Sequence, residues 1–180
     1  MTNRSILIVD DEEDIRTLIA DILKDEGYQT HTVTNSSEFY DFIEHKTPDM
    51  VILDIWLQNS EQDGINILKN FKKDHAEIPV VMISGHGTIE TAVESIKYGA
   101  YDFIEKPFKS DRLLLLVQRA LEAKALVQEN KSLKQKIEGP TDLIGESVRI
   151  SQVKQALERA ATTNSRVLLT GEPGTGKDIA

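Results

Sequence analysis

Five short strand-like runs in the first 105 residues are each followed by a stretch whose apolar residues recur at helical spacing. The runs are ILIVD (6–10), QTHTV (29–33), MVIL (50–53), VVMIS (80–84) and YDFIE (101–105). Between them, Ile15, Leu18, Ile19, Ile22 and Leu23 predict a helix stopped by Gly27. Phe39, Phe42 and Ile43 predict a second, capped by Ser36 or Ser37. Ile65, Ile67, Leu68 and Phe71 predict a third. Ala92, Val93 and Ile96 predict a fourth, capped by Thr88 and ended by Gly99. Strict strand–helix alternation implies a parallel sheet with right-handed crossovers and helices on both faces. The third and fourth runs are nearly all apolar, as strands covered on both sides should be.

A fifth helix-forming stretch begins near Ser110 and runs toward Ile137. Leu116, Ala123, Asn130 and Ile137 are spaced by seven, and Leu126 and Leu133 fall three residues after two of them. This heptad pattern predicts a dimerising coiled coil in which Asn130 fixes the register. A solvated linker helix with chance periodicity is the plainer alternative. Gly139-Pro140 ends the helix, and a new unit begins at Thr141. There Val153, Ala156, Leu157 and Ala160 mark a helical face, and RVLLT (166–170) reads as a strand.

The strand MVIL runs straight into Asp54. A carboxylate at the edge of a core is costly unless something pairs with it. In open parallel sheets, functional groups gather at the carboxyl ends of the strands. Those ends carry Asp10 and Asp11, then Asp54, Ser84 and Lys106. Three clustered carboxylates repel, so at least one pKa should rise. A hard divalent ion such as Mg²⁺ relieves that repulsion. Lys106 and Ser84 suit two oxygens of a phosphoryl group, and a carboxylate can accept one as nucleophile. Simpler roles exist for each residue: Asp10 or Asp11 as helix caps, Lys106 as a structural partner of Asp54, Ser84 as a turn residue. Five complementary groups at one edge favour a phosphoacceptor site.

The pieces ILIVDDEEDIR, VILDIW, VVMISGHG and YDFIEKPF resemble the receiver domain of two-component response regulators, from residue 4 to about residue 120. The resemblance implies a flavodoxin-like (CheY-like) sheet in the order 2-1-3-4-5, with an extended C-terminal helix. It implies that Asp54 accepts phosphate from a sensor histidine kinase. Asp10, Asp11, Asp54 and the main-chain carbonyl of Trp56 would hold Mg²⁺. Ser84 matches the switch hydroxyl, Phe103 the switch aromatic, and the Lys106-Pro107 bond would be cis. The loop Ile55 to Asp63 departs from the family: it lacks proline and is about two residues longer, resembling the NtrX branch. Trp56 and His86 sit where the family tunes phosphoryl lifetime. Trp56 could shield the phosphoryl group or could serve packing.

The stretch GEPGTGK has the phosphate-loop spacing, with Gly171, Gly174, Gly176 and Lys177. Asp178 stands where Ser or Thr would hold Mg²⁺. LIGES and VLLTGEPGTGKDIA resemble the sigma-54 activator ATPases, which carry an acid there. The expected organisation is a receiver (1–120), a helical linker (110–139) and the beginning of an AAA+ module (141–180). One strand and one helix cannot bury a core, so residues 141–180 are expected to be weakly ordered and without ATPase activity. ATP, sigma-54 RNA polymerase and DNA would be met only through further parts of a longer protein.

Composition narrows the classes. The net charge of -9 disfavours direct nucleic-acid binding. There is no cysteine, hence no disulfide framework or thiolate metal site. No apolar run approaches the about 20 residues that span a bilayer. The expectation is a cytoplasmic protein, homodimeric and not an enzyme. A receiver that only dimerises, a P-loop ATPase and an aspartyl phosphohydrolase are the rivals. The last needs a second acid two residues after the nucleophile, where Trp56 stands.

Overall fold

The computed structural model describes residues 4–85, 88–137, 145, 147–161, 168 and 170. The chain divides into two units, Met1–Gln128 and Glu129–Ala180. The first unit alternates β1 (Ser5–Val9), α1 (Glu13–Asp25), β2 (Gln29–Val33), α2 (Ser36–His45), β3 (Met50–Asp54), α3 (Gly64–Asp74), β4 (Val80–Ser84), α4 (Ile89–Lys97) and β5 (Asp102–Glu105). Helix α5 (Ser110–Ile137) follows, then α6 (Val148–Ala161). All strand pairs are parallel, in the order β2-β1-β3-β4-β5. This is the flavodoxin-like sheet expected from the sequence.

The period of two along each strand divides the apolar side chains between two cores. Leu7, Val9, Val51, Leu53, Val80 and Met82 pack with Phe39, Leu68 and Phe71 of α2 and α3. Ile6, Ile8, Ile52, Val81 and Ile83 pack with Ile19 and Leu23 of α1 and Leu113 and Val117 of α5. Burial on both faces explains why β3 and β4 carry no exposed position. A lysine ties α5 to the amino edge of the sheet. Lys124 Nζ donates to the Asp49 carbonyl at 3.1 Å and to its Oδ1 at 3.0 Å, while Asp49 Oδ2 accepts from the Ser5 amide at 2.9 Å.

Several local expectations are corrected. Helix α2 is capped by Asn35, whose side chain accepts from the Glu38 amide; Ser36 is its first residue. Neither Asp10 nor Asp11 is the N-cap of α1. That position belongs to Glu12, whose side chain makes no cap bond. Thr88 does cap α4. Yet α4 turns Ile89, Val93 and Ile96 outward, and its buried residue is Ser95, whose Oγ donates to the Thr91 carbonyl.

The heptad pattern is also partly corrected. Leu116 is buried in the sheet core beside Leu113 and Val117, so it cannot also line a seam with another helix. Leu126 and Leu133 are 66% and 49% exposed, and Asn130 is exposed with them. At about 3.6 residues per turn, these three lie roughly two-fifths of a turn around α5 from the core stripe. One helix therefore carries two apolar faces in succession.

Helix α6 forms over the expected face, but none of its residues is buried. Gly139-Pro140, the phosphate-loop residues Gly171, Gly174, Gly176 and Lys177, and most of the expected strand 166–170 lie outside the described residues. Among the described residues, no helix is long and apolar enough to cross a membrane.

Candidate phosphoacceptor site

The parallel register brings the predicted site residues to one edge. Val9, the last residue of β1, pairs with Leu53, so Asp10 and Asp54 emerge side by side. Asp54 in turn is level with Ile83, and Ser84 with Glu105. Asp10, Asp54 and Ser84 are 1%, 4% and 0% exposed. Lys106 Nζ reaches over them, 2.7 Å from Asp54 Oδ2 and 2.8 Å from Asp10 Oδ2. Asp54 thus has the structural partner that its position demanded. Its other oxygen, Oδ1, accepts from the Trp56 amide at 3.2 Å. Asp10 Oδ1 accepts from the Glu12 amide at 2.9 Å, and Arg16 donates to the Asp10 carbonyl at 2.7 Å, which fixes the β1–α1 turn.

Burial and charge act against each other here. Burial pushes Asp10 up to about 6, against the pull of Lys106 and of the Glu12 amide, and the Asp54 charge adds to the rise. The rise expected from clustered carboxylates is present, but burial is its main cause. Burial alone would lower Lys106; its bonds to Asp10, Asp54 and Glu12 outweigh that, so the ammonium is held more firmly than usual.

The site opens through a cavity of about 440 Å³ lined by Asp11, Glu12, Asp54, Trp56, Gln58 and Lys106 among others. One oxygen each from Asp10, Glu12 and Asp54 lies within 4.8 Å of the others, a spacing that one cation can bridge. Asp11, named from the sequence, stands on the cavity wall outside this group. Glu12 was missed. Within the run DDEED it looks like one more solvated acid, and only the fold brings it to Lys106, at 3.0 Å.

The long β3–α3 loop is pinned rather than loose. Ile55 and Leu57 are buried, and Asn59 takes the left-handed backbone (φ 54°) that asparagine tolerates. Ser60 Oγ accepts from the Ser36 amide at 3.0 Å and donates to the Gln62 carbonyl at 2.7 Å. Tyr40 donates to Gln62 Oε1 at 3.0 Å, and Asp63 caps α3. Packing falls to the neighbours of Trp56, which is itself 54% exposed at the cavity mouth. Phe103 is partly buried against the α2–α3 core. The Lys106-Pro107 bond is cis, as expected. His86 lies outside the described residues.

Fold and site together define an open α/β domain with an acidic, lysine-bridged pocket at its carboxyl edge. Residues 6–118 match the response regulator receiver domain, and residues 143–180 match the sigma-54 interaction domain. The chain therefore belongs to the response regulator receiver family, in its NtrX/NtrC branch of two-component signalling proteins. It is 49% identical over 174 residues to the nitrogen assimilation regulatory protein NtrX of Azorhizobium caulinodans, covering 97% of this chain and 38% of that one. The receiver domain of NtrX from Brucella abortus is 59% identical, with a TM-score of 0.63 over 65% of this chain and 98% of that one. The beryllofluoride-activated NtrC4 receiver domain dimer is 38% identical, with a TM-score of 0.63 over 67% and 98%. The chain spans 36–38% of the length of the curated relatives it matches.

Proposed function

We propose that Asp54 accepts a phosphoryl group from a sensor histidine kinase and that Asp10, Asp11, Asp54 and the Trp56 carbonyl hold the Mg²⁺ this requires. The observation that carries the reading is the buried Asp54 carboxylate, bridged by Lys106 at 2.7 Å and facing an open acidic cavity. Asp10 supports the cation: a buried carboxyl that gives up its proton reluctantly in the metal-free protein gains most from a divalent ion. When bound, Mg²⁺ neutralises charge on the phosphoryl oxygens. A carboxylate oxygen of Asp54 attacks phosphorus in line. The bond from phosphorus to the donor imidazole breaks, and its electron pair leaves with the imidazole. Lys106, firmly protonated, takes one phosphoryl oxygen. Ser84, buried at the end of the next strand, takes another, and Phe103 follows it inward. On this reading the chain is a phosphoacceptor and not a turnover enzyme.

The test is intact-mass spectrometry after incubation with acetyl phosphate and Mg²⁺. The expected result is one added phosphoryl group, absent in Asp54→Asn and absent without Mg²⁺. No addition to the unmodified chain, from acetyl phosphate or from a histidine kinase, would leave Asp54 a structural carboxylate.

We further propose that two copies pair through α5. The outward stripe of Leu126, Asn130 and Leu133 supports this, and the solved NtrC4 receiver is described as a dimer. A polar side chain at one core position favours two strands at some cost in stability. Asn130→Leu is therefore expected to associate more tightly but as a mixture of dimers and larger assemblies, read by sedimentation equilibrium. A strictly monomeric parent chain would overturn this pairing.

A further inference from the structure

We infer that Glu12 is a displaceable placeholder: its carboxylate occupies the Lys106 donor that a phosphoryl oxygen on Asp54 would take. The inference rests on the phosphoacceptor reading and names a positioning residue within it.

An ammonium has three N–H donors. Around Lys106 Nζ stand three carboxylate oxygens, from Asp54 at 2.7 Å, Asp10 at 2.8 Å and Glu12 at 3.0 Å. Lys106 Nζ donates to Asp54 and to Glu12, while Asp10 Oδ2 faces it as an ion-pair partner without a hydrogen bond. With three carboxylates crowding the ammonium, a new phosphoryl oxygen gains room at it when one of them withdraws. Asp10 and Asp54 are poor candidates. Both are buried, and the second oxygen of each is held by a backbone amide, from Glu12 and Trp56 respectively. The Glu12 side chain is 59% exposed and makes the longest of the three contacts. Water can take over its solvation, so releasing it costs least.

The backbone points the same way. Glu12 stands at the N-cap of α1 in extended conformation, where Ser, Thr, Asp or Asn usually satisfies an orphan amide. Its side chain does not cap; it crosses to Lys106, 94 residues away in sequence. Withdrawal therefore leaves the helix end as it is. Glu12 also lines the cavity mouth, where its negative charge meets the incoming phosphoryl group. It holds the lysine in place over Asp54 before transfer and opposes occupancy of the site until it moves aside.

Trp56 is the only tryptophan of the chain, and it lines the same mouth, so its fluorescence can report binding. Mg²⁺ alone, and then beryllofluoride at saturating Mg²⁺, would be titrated into the parent chain and into Glu12→Gln. The expected result is an about threefold gain in beryllofluoride affinity, the size of an exposed ion pair. Mg²⁺ affinity should change less than about twofold, and acetyl phosphate should be accepted faster. A fall in Mg²⁺ affinity that beryllofluoride affinity follows would make Glu12 a cation ligand and overturn the inference. No change in either titration would make it a spectator and overturn it as well. If the parent chain binds Mg²⁺ but never beryllofluoride or phosphoryl, the phosphoacceptor reading falls and takes this inference with it.

Discussion

Asparagine at position 10 is expected to make the metal-free protein more stable at neutral pH and to abolish its stabilisation by Mg²⁺. Asp10 is 1% exposed, and burial raises its pKa from 3.8 to about 6. The folded protein thus holds this proton more tightly than the unfolded chain does. The carboxyl supports the fold fully below about pH 4, and the support is lost as pH rises through about 6. At neutral pH the ionised form costs about 3 kcal/mol relative to a neutral side chain of the same shape. Removing one member of a buried ion pair usually strands the other. Here it does not, because Lys106 keeps Asp54 and Glu12. Asp10→Asn should therefore melt several degrees higher than the parent at about pH 7.5 in chelator, with a smaller gain at about pH 5. Added Mg²⁺ should raise the melting temperature of the parent by mass action and leave the variant unchanged. A variant less stable than the parent at neutral pH would mean that the Asp10–Lys106 pair outweighs the cost of burying Asp10.

The opposite signs of these two effects explain why the site was partly legible in the sequence. A buried acid at a strand end conflicts with the run of apolar residues before it, and that conflict is visible without coordinates. Strands β2 and β4 appear with the bounds read from QTHTV and VVMIS, because short runs rich in β-branched residues, QTHTV half polar and VVMIS apolar, are local signals. Asn35 and Ser36 are both good cap residues, and the choice depends on which backbone stays extended, a tertiary matter. Periodicity likewise shows that an apolar stripe exists but not what covers it. Val93 and Ile96 have the spacing of a core face and point to solvent, whereas Leu116 has the spacing of a coiled-coil seam and lies in the sheet core. Glu12 carried no sequence signal of its own because its partner, Lys106, is 94 residues away.

Gly64→Ala is expected to be among the most damaging small substitutions in the first unit. Gly64 opens α3, and its amide donates to the Ile55 carbonyl at 2.9 Å. That bond presses the start of α3 against the end of β3. A Cβ at Gly64 would collide with the Asp54 carbonyl oxygen and stand 2.8 Å from its carbonyl carbon and 2.9 Å from Ile55 Cα. All three are backbone atoms, so no rotamer change relieves the clash. The strand end and the helix start must separate, at a cost of about 3 kcal/mol, the upper part of the overpacking range. The same separation moves the Asp54 backbone and with it the carboxylate held by Lys106 and the Trp56 amide. Phosphoryl acceptance should therefore fall more than tenfold, even where the variant is fully folded, because small displacements at a reacting atom are costly. Gly27→Ala is the natural comparison. Gly27 has φ +84°, but nothing lies within 4 Å of an added Cβ, so only the left-handed backbone is penalised. That change should cost about 1 kcal/mol and leave acceptance intact. Urea unfolding of the two variants, paired with intact-mass measurement of phosphoryl uptake, separates the effects. Equal losses of stability, or normal uptake by Gly64→Ala, would mean that β3 and α3 can part without disturbing Asp54.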